Sequence, residues 1–262
     1  MAAAMAAGGV LSACGGGGDG GDGGGNPPAA TPVRFDYGVA SGDPLADRVV
    51  LWTHATGGAD PAVVALNWEV ALDAGFTQVV SSGQTQAAAD AGFTTKVDAT
   101  GLAPGQTYFF RFRAGSDVSP VGRTRTLPAS GVGSVKMAVF SCANYPAGYF
   151  NVYAHAARQG DLDATVHLGD YIYEYARGGY ANGKAEAMQR QSLPANEIVS
   201  LADYRQRHAQ YKTDTDLQAL HAESIDLGRR QFEGQRNTVE PAADIAQRRQ
   251  VLGPQGKPLL TG

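Results

Sequence analysis

Between Val135 and Asp170 the sequence spells one supersecondary unit, and that unit constrains the fold more than any other stretch. Residues 135–140, Val-Lys-Met-Ala-Val-Phe, form an apolar run of strand length, and the loop Ser141-Cys142-Ala143-Asn144-Tyr145-Pro146 follows. Phe150, Tyr153, Ala154 and Ala157 then recur at helical spacing, before a second apolar strand at residues 164–168 ends at Gly169-Asp170. A strand, a crossover helix and a second strand make a βαβ unit, whose strands lie parallel because no short hairpin joins them. Cys142 and Asp170 therefore sit just past the C-terminal ends of neighbouring parallel strands, where α/β folds place ligands. Tyr173, three residues beyond Asp170, can curl back to the same point.

Upstream the pattern is different. Residues 48–53, 65–72 and 107–113 are short runs rich in β-branched and aromatic side chains, separated by the turn signals Gly57-Gly58, Asp73-Ala74-Gly75 and Ala103-Pro104-Gly105. Regular short strands over about a hundred residues predict an all-β immunoglobulin- or fibronectin-like sandwich across 33–128. Leu102 to Tyr108 resembles the corner of a fibronectin-type module, in which a tyrosine hydroxyl bonds back to nearby backbone. Trp52 and Trp68 belong to this sandwich. Leu127-Pro128 marks its end, and an α/β unit is expected over residues 135–262. Within it, helices are expected near residues 201–211 and 217–221. From Ser224 onward no apolar run exceeds two residues, so no further buried strand is expected.

A thiolate, a carboxylate and a phenolate gathered at one strand edge suit an oxidised, strongly Lewis-acidic ion such as Fe³⁺, with Asp170 able to bridge to a second metal. Paired ions of that kind clamp a phosphoryl group and lower the pKa of water towards about 7. Blander readings compete: a free cysteine is most often a small buried hydrophobe, and an aspartate after glycine often only closes a turn. Asn144 serves equally well to orient a phosphate oxygen or to hold its own loop. His167, on the second strand, reads as a core histidine; Tyr171 and Ile172 read as packing.

Phe140-Ser141-Cys142-Ala143-Asn144-Tyr145 and His167-Leu168-Gly169-Asp170-Tyr171-Ile172-Tyr173-Glu174 resemble the two opening metal motifs of the PhoD-like (alkaline phosphatase D) phosphatases. Gly38 to Pro44 with Val50-Leu51-Trp52-Thr53 resembles that family's N-terminal domain. Leu201 to Arg205 and Leu217 to Ala222 resemble its helices before the next motif. The resemblance implies hydrolysis of phosphate mono- and diesters outside the cytoplasm with Fe³⁺ and Ca²⁺, and makes Cys142, Asp170 and Tyr173 the metal ligands. It also implies a buried strand and a Trp-Asp-Asp-His-Glu motif after Ala222, which this sequence lacks; residues 230–236 and 249–254 instead resemble stretches found later in the family. A deletion or a join of distant segments after residue 222 is therefore expected, leaving a weakly active or inactive chain. The alternative is a surface lipoprotein that binds a partner through its sandwich and carries an inert α/β remnant.

Leu11-Ser12-Ala13-Cys14 resembles a bacterial lipoprotein cleavage box, which would make Cys14 the lipidated first residue and residues 15–32 a Gly/Pro-rich tether. The segment before it is short and lacks basic residues, as a start placed downstream of the true one would leave it. Export to the periplasm or cell surface is expected, with membrane contact only through that anchor. A net charge of -4 and the lack of a basic cluster give nucleic-acid binding no support. With Cys14 lipidated, Cys142 stands alone and a structural disulfide is not expected.

Overall fold

The computed structural model describes residues 31–229. Ten strands come first: β1 (Thr31–Arg34), β2 (Val39–Gly42), β3 (Arg48–His54), β4 (Thr56–Gly58), β5 (Val63–Ala71), β6 (Val79–Ala88), β7 (Thr94–Thr100), β8 (Thr107–Ala114), β9 (Asp117–Val118) and β10 (Gly122–Arg125). The later part adds β11 (Met137–Phe140), α1 (Asn151–Ala157), β12 (Ala164–His167), α2 (Leu201–Lys212), α3 (Thr215–Glu223) and β13 (Ile225–Arg229).

Alternation along the strands decides what is buried. On β5, Val64, Leu66, Trp68 and Val70 point inward, and on β8 Tyr108, Phe110 and Phe112 do the same, as the period of two requires. These side chains meet Val39, Val49, Leu51, Val97 and Ala99 from a facing sheet in one core. Each large side chain buried there contributes roughly 1.5–3 kcal/mol. One sheet is antiparallel, in the order β10-β8-β5-β6, with β9 attached to β8. Gly122 on β10 has a packing reason: a Cβ there would stand 2.4 Å from the Phe110 ring. The backbone N–H of Ala103 donates to the Tyr108 hydroxyl over 2.8 Å, which ties the turn before β8 to its own strand.

The facing sheet has six strands in the order β11-β12-β13-β2-β3-β7 and runs across both halves of the chain. β11 and β12 pair in parallel, with Phe140 opposite His167, as the βαβ pattern predicts. The expectation that no strand follows Ser224 is corrected. β13 lies parallel to both β12 and β2, and so joins the later strands to the first ones. Its alternation is hidden because Asp226 is buried beside Ile225, with Oδ2 3.4 Å from His221 Nδ1.

A second core packs the helices on this sheet: Tyr145, Phe150, Tyr153, Tyr171, Ile172, Tyr204, Tyr211, Leu217 and Leu220. Local chemistry starts both longer helices. Ser200 and Asp203 form a reciprocal capping box on α2, and the Asp214 carboxylate accepts from the N–H groups of Asp216 and Leu217 at the start of α3. Among the described residues no helix is long and apolar enough to cross a membrane.

One buried histidine makes the fold sensitive to acid. His54, at the end of β3, stacks on Tyr37 with ring centroids 4.1 Å apart, and burial depresses its pKa from 6.5 to about 4. Between those values the unfolded chain takes up a proton that the native chain refuses, so stability falls as pH falls through this window. At pH 4 the loss reaches about 3 kcal/mol. Urea unfolding at pH 7 and pH 4 checks this against His54→Phe, which keeps a stacking ring and removes the contribution; an equal loss in the variant would exclude it.

Candidate metal centre

The parallel edge formed by β11 and β12 delivers two loops to one place. Leu168 N–H donates to the Phe140 carbonyl over 2.8 Å, Cys142 N–H to Gly169 O over 3.1 Å, and Ala143 N–H to Asp170 O over 2.9 Å. The two loops are thus stitched together beyond the strands themselves. Cys142 and Asp170 both adopt left-handed backbone, at φ 60° and 50°. Such conformations cost a non-glycine residue of order 1–3 kcal/mol and persist where the surroundings over-determine them, commonly at functional sites.

The side chains converge as the sequence predicts. The Cys142 thiol donates to Asp170 Oδ2 at 3.6 Å, and the Tyr173 hydroxyl donates to the same oxygen at 3.4 Å. Cys142 is exposed, not a small buried hydrophobe. Burial, then hydrogen bonding to Cys142 and the charge of Asp170, pushes the Tyr173 phenol well above its ordinary range, so without a cation it keeps its proton. Asn144 lines an open cleft with Cys142, Ala147, Tyr149 and Phe150, and neither its Oδ1 nor its Nδ2 finds a partner although both atoms are buried. His167 packs in the interior, where its Nδ1 accepts from Gly169 N–H at 3.4 Å. Tyr171 and Ile172 are buried packing residues, and Glu174 accepts from the Tyr204 hydroxyl.

Two arginines that sequence reasoning did not single out hold these loops from behind. Arg207 on α2 donates to the carbonyls of Tyr173, Tyr175, Leu193 and Pro194. Arg190 donates to Tyr145 O at 2.8 Å, lies 3.6 Å above the Tyr145 ring and pairs with Asp214 at 2.7 Å. Tyr211 adds a third hold, its hydroxyl accepting from Tyr145 N–H at 3.0 Å, while burial raises its pKa to about 12. None of these carries a local signal. Each contact joins a helix or loop residue to a distant carbonyl or amide.

A mixed sheet thus presents, at the end of its parallel edge, a thiol, a carboxylate and a phenol beside an open cleft. The chain belongs to the PhoD-like phosphatase family. Residues 24–128 match that family's N-terminal domain, and residues 137–225 match the PhoD-like phosphatase domain itself. Alkaline phosphatase D of Bacillus subtilis (strain 168) is 43% identical over 196 residues, covering 72% of this chain and 33% of that protein. A solved structure of PhoD superposes with a TM-score of 0.68 at 41% identity, covering 76% of this chain and 38% of the other. The chain thus spans about a third of the length of the curated relative that it matches.

Proposed function

We propose that the chain is a metal-dependent hydrolase of phosphate mono- and diesters in which Cys142, Asp170 and Tyr173 would hold one Fe³⁺ ion. The observation that carries this reading is that a thiol and a phenol, from different strand-end loops, meet a single carboxylate oxygen at 3.6 and 3.4 Å. A sulfur and two oxygens at such separations suit one oxidised ion. When bound, that ion would supply Lewis-acid polarisation of a phosphoryl oxygen. The chain's own residues would do the rest: Asp170, Cys142 and Tyr173 would hold the cation through one carboxylate oxygen, the sulfur and the phenol oxygen, and Asn144, whose amide has no partner, would orient a phosphoryl oxygen. In the same reading, residues 33–128 form an immunoglobulin- or fibronectin-like sandwich and the later strands part of the metallophosphatase fold. The Ala103 to Tyr108 hydroxyl bond supports the former.

The Ca²⁺ that the family resemblance implies finds no fitting site among the described residues. Among the described residues, no three His, Cys, Asp or Glu side chains gather where they could hold a metal ion; the Cys142, Asp170 and Tyr173 group has only two of these types and a phenol. No step is derived through a second ion.

The expected result is weak metal binding and slow turnover of p-nitrophenyl phosphate by the purified 262-residue chain. Titrated with ferric iron, it should develop a visible phenolate-to-iron band, and Asp170→Asn should weaken iron binding at least about tenfold because a ligand charge is removed. Iron analysis after dialysis and the visible spectrum check both. Near-stoichiometric iron after dialysis with rapid turnover would refute the expected weak binding and slow hydrolysis, and no band at any iron concentration would refute the cradle.

Export with a lipid anchor at Cys14 completes the reading; Cys14 and residues 15–30 of the tether lie outside the described residues, while Thr31 and Pro32 belong to β1. One acyl chain anchors only marginally, so a lipoprotein's multiple chains are needed. In an exporting bacterial host the wild-type chain should partition into a detergent phase and Cys14→Ser into the aqueous phase. Equal partitioning would remove the anchor from consideration.

A further inference from the structure

The loop that carries Tyr173 also carries two rings which the metal cradle does not use. Tyr175 and Tyr180 are 50% and 58% exposed, yet they pack on Tyr173 and on each other. Tyr173 stacks on Tyr175 at 6.1 Å and on Tyr180 at 6.0 Å, and Tyr175 meets Tyr180 at 5.5 Å. Single exposed aromatics are ordinary, whereas a contiguous exposed cluster marks an interaction site. This one is continuous with the cradle, because the Tyr173 hydroxyl that touches Asp170 belongs to the innermost ring.

The segment from Ala176 to Ser200 contains no strand or helix, yet its backbone is pinned. Arg207 holds the carbonyls of Tyr173 and Tyr175, Arg177 N–H donates to Ala195 O at 2.8 Å, and Asn182 Nδ2 donates to Tyr180 O at 2.8 Å. The rings therefore stand on a fixed frame, and little ordering remains to be done when a ligand arrives. Nearby polar side chains spend their donors on backbone: Arg177 on Ser192 O and Asn182 on Tyr180 O. The surface thus offers flat aromatic faces and few groups for sugar hydroxyls.

We infer that Tyr175 and Tyr180 form a stacking subsite for the aromatic ring, a nucleobase or an aryl group, of a phosphate ester whose phosphoryl end reaches Cys142, Asp170 and Tyr173. The inference rests on the phosphoesterase reading for that phosphoryl end, while the ring contact is testable without it. Stacking on protein aromatics tolerates any flat ring, because every such ring offers a π-face.

The test is binding of adenosine 5′-monophosphate and of ribose 5-phosphate to the 262-residue chain without added metal, followed by saturation-transfer NMR. Wild type should transfer saturation to the adenine protons, and Tyr175→Ala/Tyr180→Ala should weaken the nucleotide about tenfold while leaving ribose 5-phosphate unchanged. Tyr175→Phe/Tyr180→Phe keeps both faces and should retain binding. Tyr175→Leu/Tyr180→Leu keeps apolar bulk without a flat face and should lose it, which covers the case in which the alanine variant misfolds. Unaltered nucleotide affinity in the folded alanine or leucine variant, or an equal fall for ribose 5-phosphate, would overturn the subsite. Either result leaves the iron titration of Asp170→Asn untouched, so failure here and failure of the metal cradle are distinguishable.

Discussion

Replacing Arg207 by methionine should lower the unfolding free energy by about 3–5 kcal/mol and release Tyr173 from Asp170. The guanidinium is 1% exposed and donates to four carbonyls on two separate segments, those of Tyr173, Tyr175, Leu193 and Pro194. Methionine has similar length but no donor, so buried carbonyls lose their partners, at about 1–3 kcal/mol for each one that water cannot reach. Burial already lowers the basicity of Arg207, the desolvation outweighing the charge of Asp203. Arg207→Lys should recover less than half of the loss, because an ammonium cannot reproduce the planar fork that spans both segments. Urea unfolding followed by circular dichroism measures the stability. The ferric-phenolate band reports whether Tyr173 still reaches the cradle. A change below about 1 kcal/mol with the band intact would show that the loop stands without its clamp.

The second large effect concerns Asp214, which holds two things at once. Its carboxylate pairs with Arg190 at 2.7 Å, with both side chains 7% exposed, and it caps α3 by accepting from Asp216 and Leu217. Asp214→Ala should cost about 4–6 kcal/mol: roughly 3–5 for a buried guanidinium left without its partner, and about 1 for the lost cap. The pair itself is worth much less than that, because two desolvated charges offset most of their mutual attraction. Adding Arg190→Met to Asp214→Ala should therefore recover about 1–4 kcal/mol. If the double variant is less stable than Asp214→Ala alone, Arg190 acts chiefly through Tyr145, whose carbonyl and ring it also contacts. The recovery expected from removing both charges would then be refuted.

The convergence at the cradle was legible from residues 135–173 because it is assembled locally. Two apolar runs joined by a helix must lie parallel, their C-terminal ends must be neighbours, and a three-residue offset returns Tyr173 to Asp170. The strands around Val50, Trp68 and Phe110 were equally legible, since an alternating side chain reports its own burial. β13 was not. Ile225 and Asp226 are both buried while Leu227 is 47% exposed, so burial along β13 does not follow its hydropathy, and the aspartate reads as solvent-facing until His221 is seen beside it. Its place between β12 and β2, which makes one sheet of strands from both ends of the described chain, has no signature in any window.

The sequence by itself determined the strands around Val50, Trp68 and Phe110, the parallel pair β11 and β12, and the meeting of Cys142, Asp170 and Tyr173 at its end, because these depend on periodicity and spacing within short stretches. Tertiary structure alone decided which residues hold that edge in place. Arg190 and Arg207 carry no burial signal in the sequence and Tyr211 reads as ordinary helix core, yet all three are buried against the carbonyls and amide of the two strand-end loops. The physical reason is the reach of the interaction: a hydrogen bond to a main-chain atom 34 or 66 residues away leaves no pattern among neighbouring letters, and only folding brings its two ends together.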